Sequence, residues 1–176
     1  LMNDIDETVR WAVAQRLPER YLLQMIHDPH REVRIRIAAR LSDRNLSAMM
    51  HDDDYYVRLE VARRLPANLL RLMMHDRDVE VRRVVAKRVD TDALLSMLND
   101  ADPAVRLEVI ERIPVSILST LVADSDWRVR YEVAKRGTPE AVAKLLQDED
   151  RVVRHCAEER LRKRGTPVLE ALLKEV

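Results

Sequence analysis

The dipeptide Val-Arg recurs every 24 residues along the chain, at Val9-Arg10, Val33-Arg34, Val57-Arg58, Val81-Arg82, Val105-Arg106, Val129-Arg130 and Val153-Arg154. An aspartate stands five residues before each valine, as Asp4, Asp28, Asp52, Asp76, Asp100, Asp124 and Asp148. An arginine stands seven after it, as Arg16, Arg40, Arg64, Arg88, Arg112, Arg136 and Arg160. A fixed period of this length means that one small unit is copied and stacked, each copy burying its apolar face only against its neighbours. It divides the chain into repeats 4–27, 28–51, 52–75, 76–99, 100–123, 124–147 and 148–176, with residues 1–3 the remnant of an upstream repeat. Residues 1–176 are therefore expected to form a single solenoid domain.

Within a repeat, apolar residues fall at the valine and then four, five and eight positions on, as in Val57, Val61, Ala62 and Leu65. That is one stripe of an α-helix of about three turns. Proline follows directly at Pro18, Pro66 and Pro114 and ends the helix at the residue before it. A second segment carries apolar residues such as Leu69, Leu70, Met73 and Met74. It is long enough for only about two turns, which predicts a 3₁₀ or mixed conformation. The stretch after it, for example His75-Asp76-Arg77-Asp78, returns the chain and supplies an N-cap for the next helix. Composition agrees: Phe is absent, Gly occurs twice and aromatic residues total 3%, so the core must be Leu, Val, Ile, Met and Ala. Such a core favours helices over sheets.

On a helical wheel the arginine after each valine points about 100° away from it, between the apolar positions and not opposite them. Arg10, Arg34, Arg58, Arg82, Arg106, Arg130 and Arg154 are thus expected to be buried, and a buried guanidinium needs a carboxylate. The aspartate column offers one, in the same or the neighbouring repeat. Since every copy carries both residues, the pairing reads as a structural ladder that fixes the register of the stack, with no catalytic meaning.

The copy from Asp52 to His75, with Val57-Arg58, Val61-Ala62, Arg64, Leu65-Pro66 and Leu69-Leu70, resembles the leucine-rich repeat variant family, and the resemblance runs through the whole chain. Gly137-Thr138-Pro139 and Asp90-Thr91 are local departures. The resemblance implies an all-α fold, a right-handed superhelix of alternating α- and 3₁₀-helices without β-sheet. It also brings an association with a cysteine-rich N-terminal segment that holds a four-iron four-sulfur cluster. Here Cys156 is the only cysteine, so no cofactor is expected in this chain. A cluster could belong only to an absent N-terminal segment.

The first helix keeps the ordinary apolar pattern at Trp11, Val13, Ala14 and Leu17, without polar replacements, and Leu1 and Met2 fall in core columns. The last repeat departs from the pattern at Glu158, Glu170 and Lys174 and lengthens its helix through Arg160 to Arg164 before Gly165-Thr166-Pro167. Residues 158–176 read as a C-terminal cap with a polar outer face.

Chemistry-bearing residues mostly dissolve into the repeat. His27, His51 and His75 form a column, but stacked helices about 8–10 Å apart hold such side chains too far from one another for one metal ion. The methionines occupy core columns, and Cys156 and His155, adjacent in sequence, do not face each other on a helix. Neither a phosphate-binding glycine loop nor a serine elbow is present, so neither a catalytic nor a metal site is expected. The 31 basic and 31 acidic residues cancel, which disfavours a general nucleic-acid or anionic-membrane binder. The outward positions, one before, three after and six after each valine, carry mixed charges and include Glu32, Arg36, Glu60, Arg63, Glu108 and Glu132. Aromatic residues interrupt columns usually filled by small or charged residues at Tyr55, Tyr56, Trp127 and Tyr131, and with Arg128 they are the residue types enriched at binding hot spots. These five are the candidate partner-binding residues. The expected role is a non-catalytic, cytoplasmic scaffold for another protein. The alternatives are a redox accessory whose upstream segment carries the cluster and a HEAT-like nucleic-acid binder.

Overall fold

The computed structural model describes residues 1–163, and among them there is no strand. Each repeat opens with a longer helix: α1 Glu7–Ala14, α3 Arg31–Ala38, α5 Tyr55–Arg64, α7 Val79–Arg88, α9 Pro103–Ile110, α11 Trp127–Arg136 and α13 Arg151–Lys163. Between them lie the short helices α2 Glu19–Leu22, α4 Asp43–Leu46, α6 Ala67–Leu70, α8 Thr91–Leu94, α10 Val115–Leu118 and α12 Pro139–Lys144. From α4 onward each short helix runs into a single 3₁₀ turn, as Ser47–Met49, Arg71–Met73, Leu95–Met97, Ser119–Leu121 and Leu145–Gln147. The second segment is therefore mixed, as its length predicts. Proline does not simply end the long helix. At Pro18, Pro66 and Pro114 it is also the N-cap of the short one, where its missing N–H costs nothing.

The chain forms two compact units, residues 1–93 and 94–176. In the first, the apolar stripes of α3, α5 and α7 are fully buried through Val33, Ile37 and Ala38, Val57, Val61 and Ala62, and Val81, Val85 and Ala86, whereas in α1 only Ala14 is, with Val9 and Val13 half-buried. The short segments add Leu22, Leu46 and Leu70 together with Met25, Met49 and Met73. In the second unit the same columns are Val105, Val109 and Ile110, Val129, Val133 and Ala134, and Leu118 with Leu121. Met25, Met49, Met73 and Met97 fill core positions, while Met2, Met50 and Met74 are half-buried.

The expected cap falls partly on helix α13, which runs unbroken to Lys163 with Glu158 exposed. Gly165-Thr166-Pro167, Glu170 and Lys174 lie outside the described residues.

Candidate protein-interaction surface

The repeated charged residues are bound internally, and the geometry shows how. Arg10 donates from Nε to Asp28 Oδ2 at 2.8 Å and from Nη2 to Asp28 Oδ1 at 3.1 Å. The same forked pair joins Arg34 to Asp52, Arg58 to Asp76, Arg106 to Asp124 and Arg130 to Asp148. The carboxylate therefore comes from the following repeat. The third guanidinium nitrogen turns back to the arginine's own repeat: Arg58 Nη1 reaches the Asp52 carbonyl at 2.8 Å and Arg82 Nη1 the Asp76 carbonyl at 2.9 Å. Arg154 does the same with the carbonyls of Asp148 and Glu149. Each ladder aspartate also accepts the N–H two residues on, as Asp4 from Asp6, Asp76 from Asp78 and Asp100 from Asp102. One carboxylate thus fixes both the register between repeats and the turn into its own helix.

A second aspartate, two residues after the first, caps that helix. Asp6, Asp54, Asp78, Asp102 and Asp126 accept the N–H of Thr8, Tyr56, Glu80, Ala104 and Arg128. His30 holds this position in the second repeat and makes no side-chain cap bond. The second arginine column serves the opposite ends of the helices. Arg40, Arg64 and Arg88 donate to the carbonyls of Ala14, Ala38 and Ala62, at 2.6, 2.5 and 2.5 Å, and Arg136 to that of Ile110 at 3.0 Å. These carbonyls lie in the last turns of α1, α3, α5 and α9, where a helix has no acceptors of its own to satisfy them.

Burial of Asp28 pushes its pKa up, but the Arg10 guanidinium and the His30 amide outweigh that and hold it below the usual carboxylate range. Asp148 is balanced in the same way, burial opposed by Arg130 and the Asp150 amide, and lies low as well.

With the framework occupied, the outer side chains remain. Tyr55 and Tyr56 open α5 in the first unit, 43% and 40% exposed, with their rings edge to face at 6.1 Å. Trp127, 44% exposed, opens α11 in the second unit. Arg128 is folded back onto the N-cap, donating to Asp126 at 3.0 and 2.9 Å. Tyr131 is half-buried against Cys156 of α13. The five candidate residues therefore form two patches, one in each unit.

One outward column is misread by the wheel. From the second repeat on, the residue three after the valine is covered: Glu108 is only 9% exposed and Arg36 is half-buried against the preceding helix. A single-helix wheel cannot show this, because the covering surface is the neighbouring repeat. Arg36 lays its guanidinium over the Trp11 ring at 4.8 Å, closing the space between α1 and α3. The matching pair one hundred and twenty residues on is Tyr131 and Cys156. There the short thiol leaves an open groove of about 490 Å³ between α11 and α13, lined by Tyr131, Lys135, Val152, His155, Glu159 and Lys163 around Cys156. Burial pushes the Cys156 thiol up, against the hydrogen bond with Tyr131 and the charge of Arg160, which lower it. Pairing each aromatic with the residue 25 positions later would have revealed both sites from sequence.

Among the described residues no group of three or more His, Cys, Asp or Glu side chains is placed to hold a metal ion. His27, His51 and His75 are all exposed. None of these helices is long and apolar enough to cross a membrane.

Short helices of two kinds, repeated on a 24-residue period and tied by side chains reaching one repeat forward and one repeat back, define a repeat solenoid built without sheet. Residues 55–78, one full period, match the family model "Leucine rich repeat variant". A solved structure described as a leucine-rich repeat variant with a novel repetitive protein structural motif is similar at a TM-score of 0.83 and 40% identity, over 91% of this chain and 68% of that one. No curated protein matches. The chain belongs to the leucine-rich repeat variant family.

Proposed function

We propose that this chain is a non-catalytic scaffold that binds another protein through outward side chains of its long helices. The observation that carries this reading is the division of labour within each repeat. The recurrent aspartates and arginines are engaged in holding the stack, whereas Tyr55, Tyr56 and Trp127 stand 40–44% exposed in columns that differ from repeat to repeat. Large amphipathic rings held on rigid helices give much contact area at little entropic cost. Mixed surface charge and zero net charge favour a protein partner over nucleic acid.

The test is quantitative affinity capture from cell extract with the intact chain, compared with a Tyr55→Ser, Tyr56→Ser variant and a Trp127→Ser variant, each checked for native melting. Partners that the intact chain enriches and that either variant loses support the reading. Partners retained undiminished by both would overturn it.

A further inference from the structure

We infer that the cavity between the second and third repeats takes an arginine or lysine side chain from an extended, basic segment of a partner protein. The inference rests on the scaffold reading and names the chemistry of the partner. The cavity holds about 520 Å³ and is walled by two successive turns, through His27, Asp28, Pro29, His51, Asp52 and Asp53. Its carboxylates are not equivalent. Asp28 and Asp52 are forked by Arg10 and Arg34, whereas the exposed Asp53 side chain has no hydrogen bond or ion pair among the described residues. One negative charge in the wall is therefore uncompensated, and a cation complements it. The chain itself shows how a cation lies on such a turn. One repeat further on, Arg77 stands in the column of Asp53 and donates back to the Asp53 carbonyl, which also accepts from Arg58 at 3.1 Å. The equivalent carbonyl in the cavity is that of Pro29, which accepts from Arg34 at 3.3 Å and has a second lone pair for a further donor. His27 and His51 are successive members of the exposed histidine column, and their rings make no hydrogen bond among the described residues. A neutral imidazole both donates and accepts, as the main chain of an extended segment requires. His27, Asp28 and Pro29 also wall a second cavity of about 320 Å³ toward the first repeat, so the segment has a continuous path over two intervals. Stacked repeats about 8–10 Å apart match one turn of a polyproline II helix, three residues at about 3.1 Å each. The expected motif is thus a basic residue at every third position. A nucleic acid would set its phosphates against Asp53.

The test is fluorescence anisotropy of the full chain with three labelled dodecapeptides: four Pro-Pro-Arg units, the same residues with the arginines contiguous, and four Pro-Pro-Glu units. The Pro-Pro-Arg peptide is expected to bind saturably and at least about three-fold tighter than the contiguous form, because its side chains are already spaced for the repeats. The Pro-Pro-Glu peptide should not bind. Asp53→Asn should weaken binding about five-fold or more, and Asp53→Arg, whose side chain can lie over this cavity as Arg77 lies over the next interval, should abolish it. Since the Asp53 side chain makes no bond, both variants should melt as the parent does. Asp92→Asn, an equal loss of charge at an exposed site on α8, should stay within about two-fold, which separates the cavity from a general charge effect. The proposal is overturned if the Pro-Pro-Arg peptide shows no saturable binding, if either Asp53 variant binds it as the parent does, if Asp92→Asn weakens it as much as Asp53→Asn, or if either of the other peptides binds as tightly. Binding that is lost on Tyr55→Ser, Tyr56→Ser and untouched by substitution of Asp53 would overturn the cavity and leave the scaffold reading standing.

Discussion

Arg58 illustrates what one side chain does in this molecule. With its side chain 4% exposed, it forks onto Asp76 and spends its remaining nitrogen on the carbonyls of Asp52 and Asp53. Its removal strands a carboxylate and two carbonyls, so Arg58→Ala should cost about 3–5 kcal/mol, the range for breaking a buried pair. Arg63, 49% exposed and 3.7 Å from Glu60, is a surface pair whose loss should cost well under about 1 kcal/mol. Urea denaturation of the two variants makes the comparison. That this arginine is buried was legible from its place on the wheel. Its acceptor in the following repeat was not, because that choice depends on the axial offset between repeats. The second arginine column was visible but mute, since its acceptors are main-chain carbonyls and leave no mark in sequence. The ladder also sets an acid limit. Asp28 and Asp148 titrate below the ordinary value of 3.8, so their contribution to stability is complete above that value and is lost as the pH falls through their lowered pKa values. Melting temperature should therefore fall as the pH drops below about 4, less steeply for Asp28→Asn than for the parent, because that variant has one ladder carboxylate fewer to titrate.

The helices show the same economy at their ends. Six long helices are capped by an aspartate side chain, the last by Asp150, which accepts the Val152 N–H, while α3 begins at His30 without one. His30→Asp should therefore stabilise the chain by roughly 0.5–1 kcal/mol, and Asp54→Ala should destabilise it by about 1 kcal/mol, both read as midpoint shifts in urea. Where the short helix lacks proline at its N-cap, a side chain from the preceding repeat steps in. Glu19 accepts from the Ser42 N–H at 2.7 Å, Ser119 accepts from the Thr138 N–H at 3.1 Å, and Arg71 pairs with Asp90 at 2.5 Å. The departures at Asp90-Thr91 and Gly137-Thr138-Pro139 are thus compensated, each by a residue that looks unremarkable in its own repeat. The alternation of long and short segments was legible from apolar spacing and proline. The compensations were not, because each depends on two repeats at once.

For the molecule as a whole, the period was the most informative feature and the individual partners the least. It gave the helix order, the core columns and the family, all of which the structure and its relatives bear out. It could not show that Arg36 lies over the Trp11 ring or that Tyr131 and Cys156 line a groove, since each contact joins two repeats. Surface sites in a solenoid arise where neighbouring copies stop matching, and reading them takes adjacent repeats together. The central claim is that the framework is modular, each copy presenting the same carboxylate and arginines to the copies beside it. The most direct measurement is urea unfolding of two deletion variants within the first unit. Removing residues 52–75 takes out one period and carries Asp76 into the place of Asp52, opposite Arg34. That variant should keep its helical signal per residue and unfold cooperatively with a smaller slope. Removing 52–74, one residue fewer, keeps the spacing within the later repeats but puts His75 in the place of Asp52 opposite Arg34, so the pairing at that junction is broken and cooperative unfolding across it should be lost. Equal behaviour of the two deletions, folded or unfolded, would contradict the account.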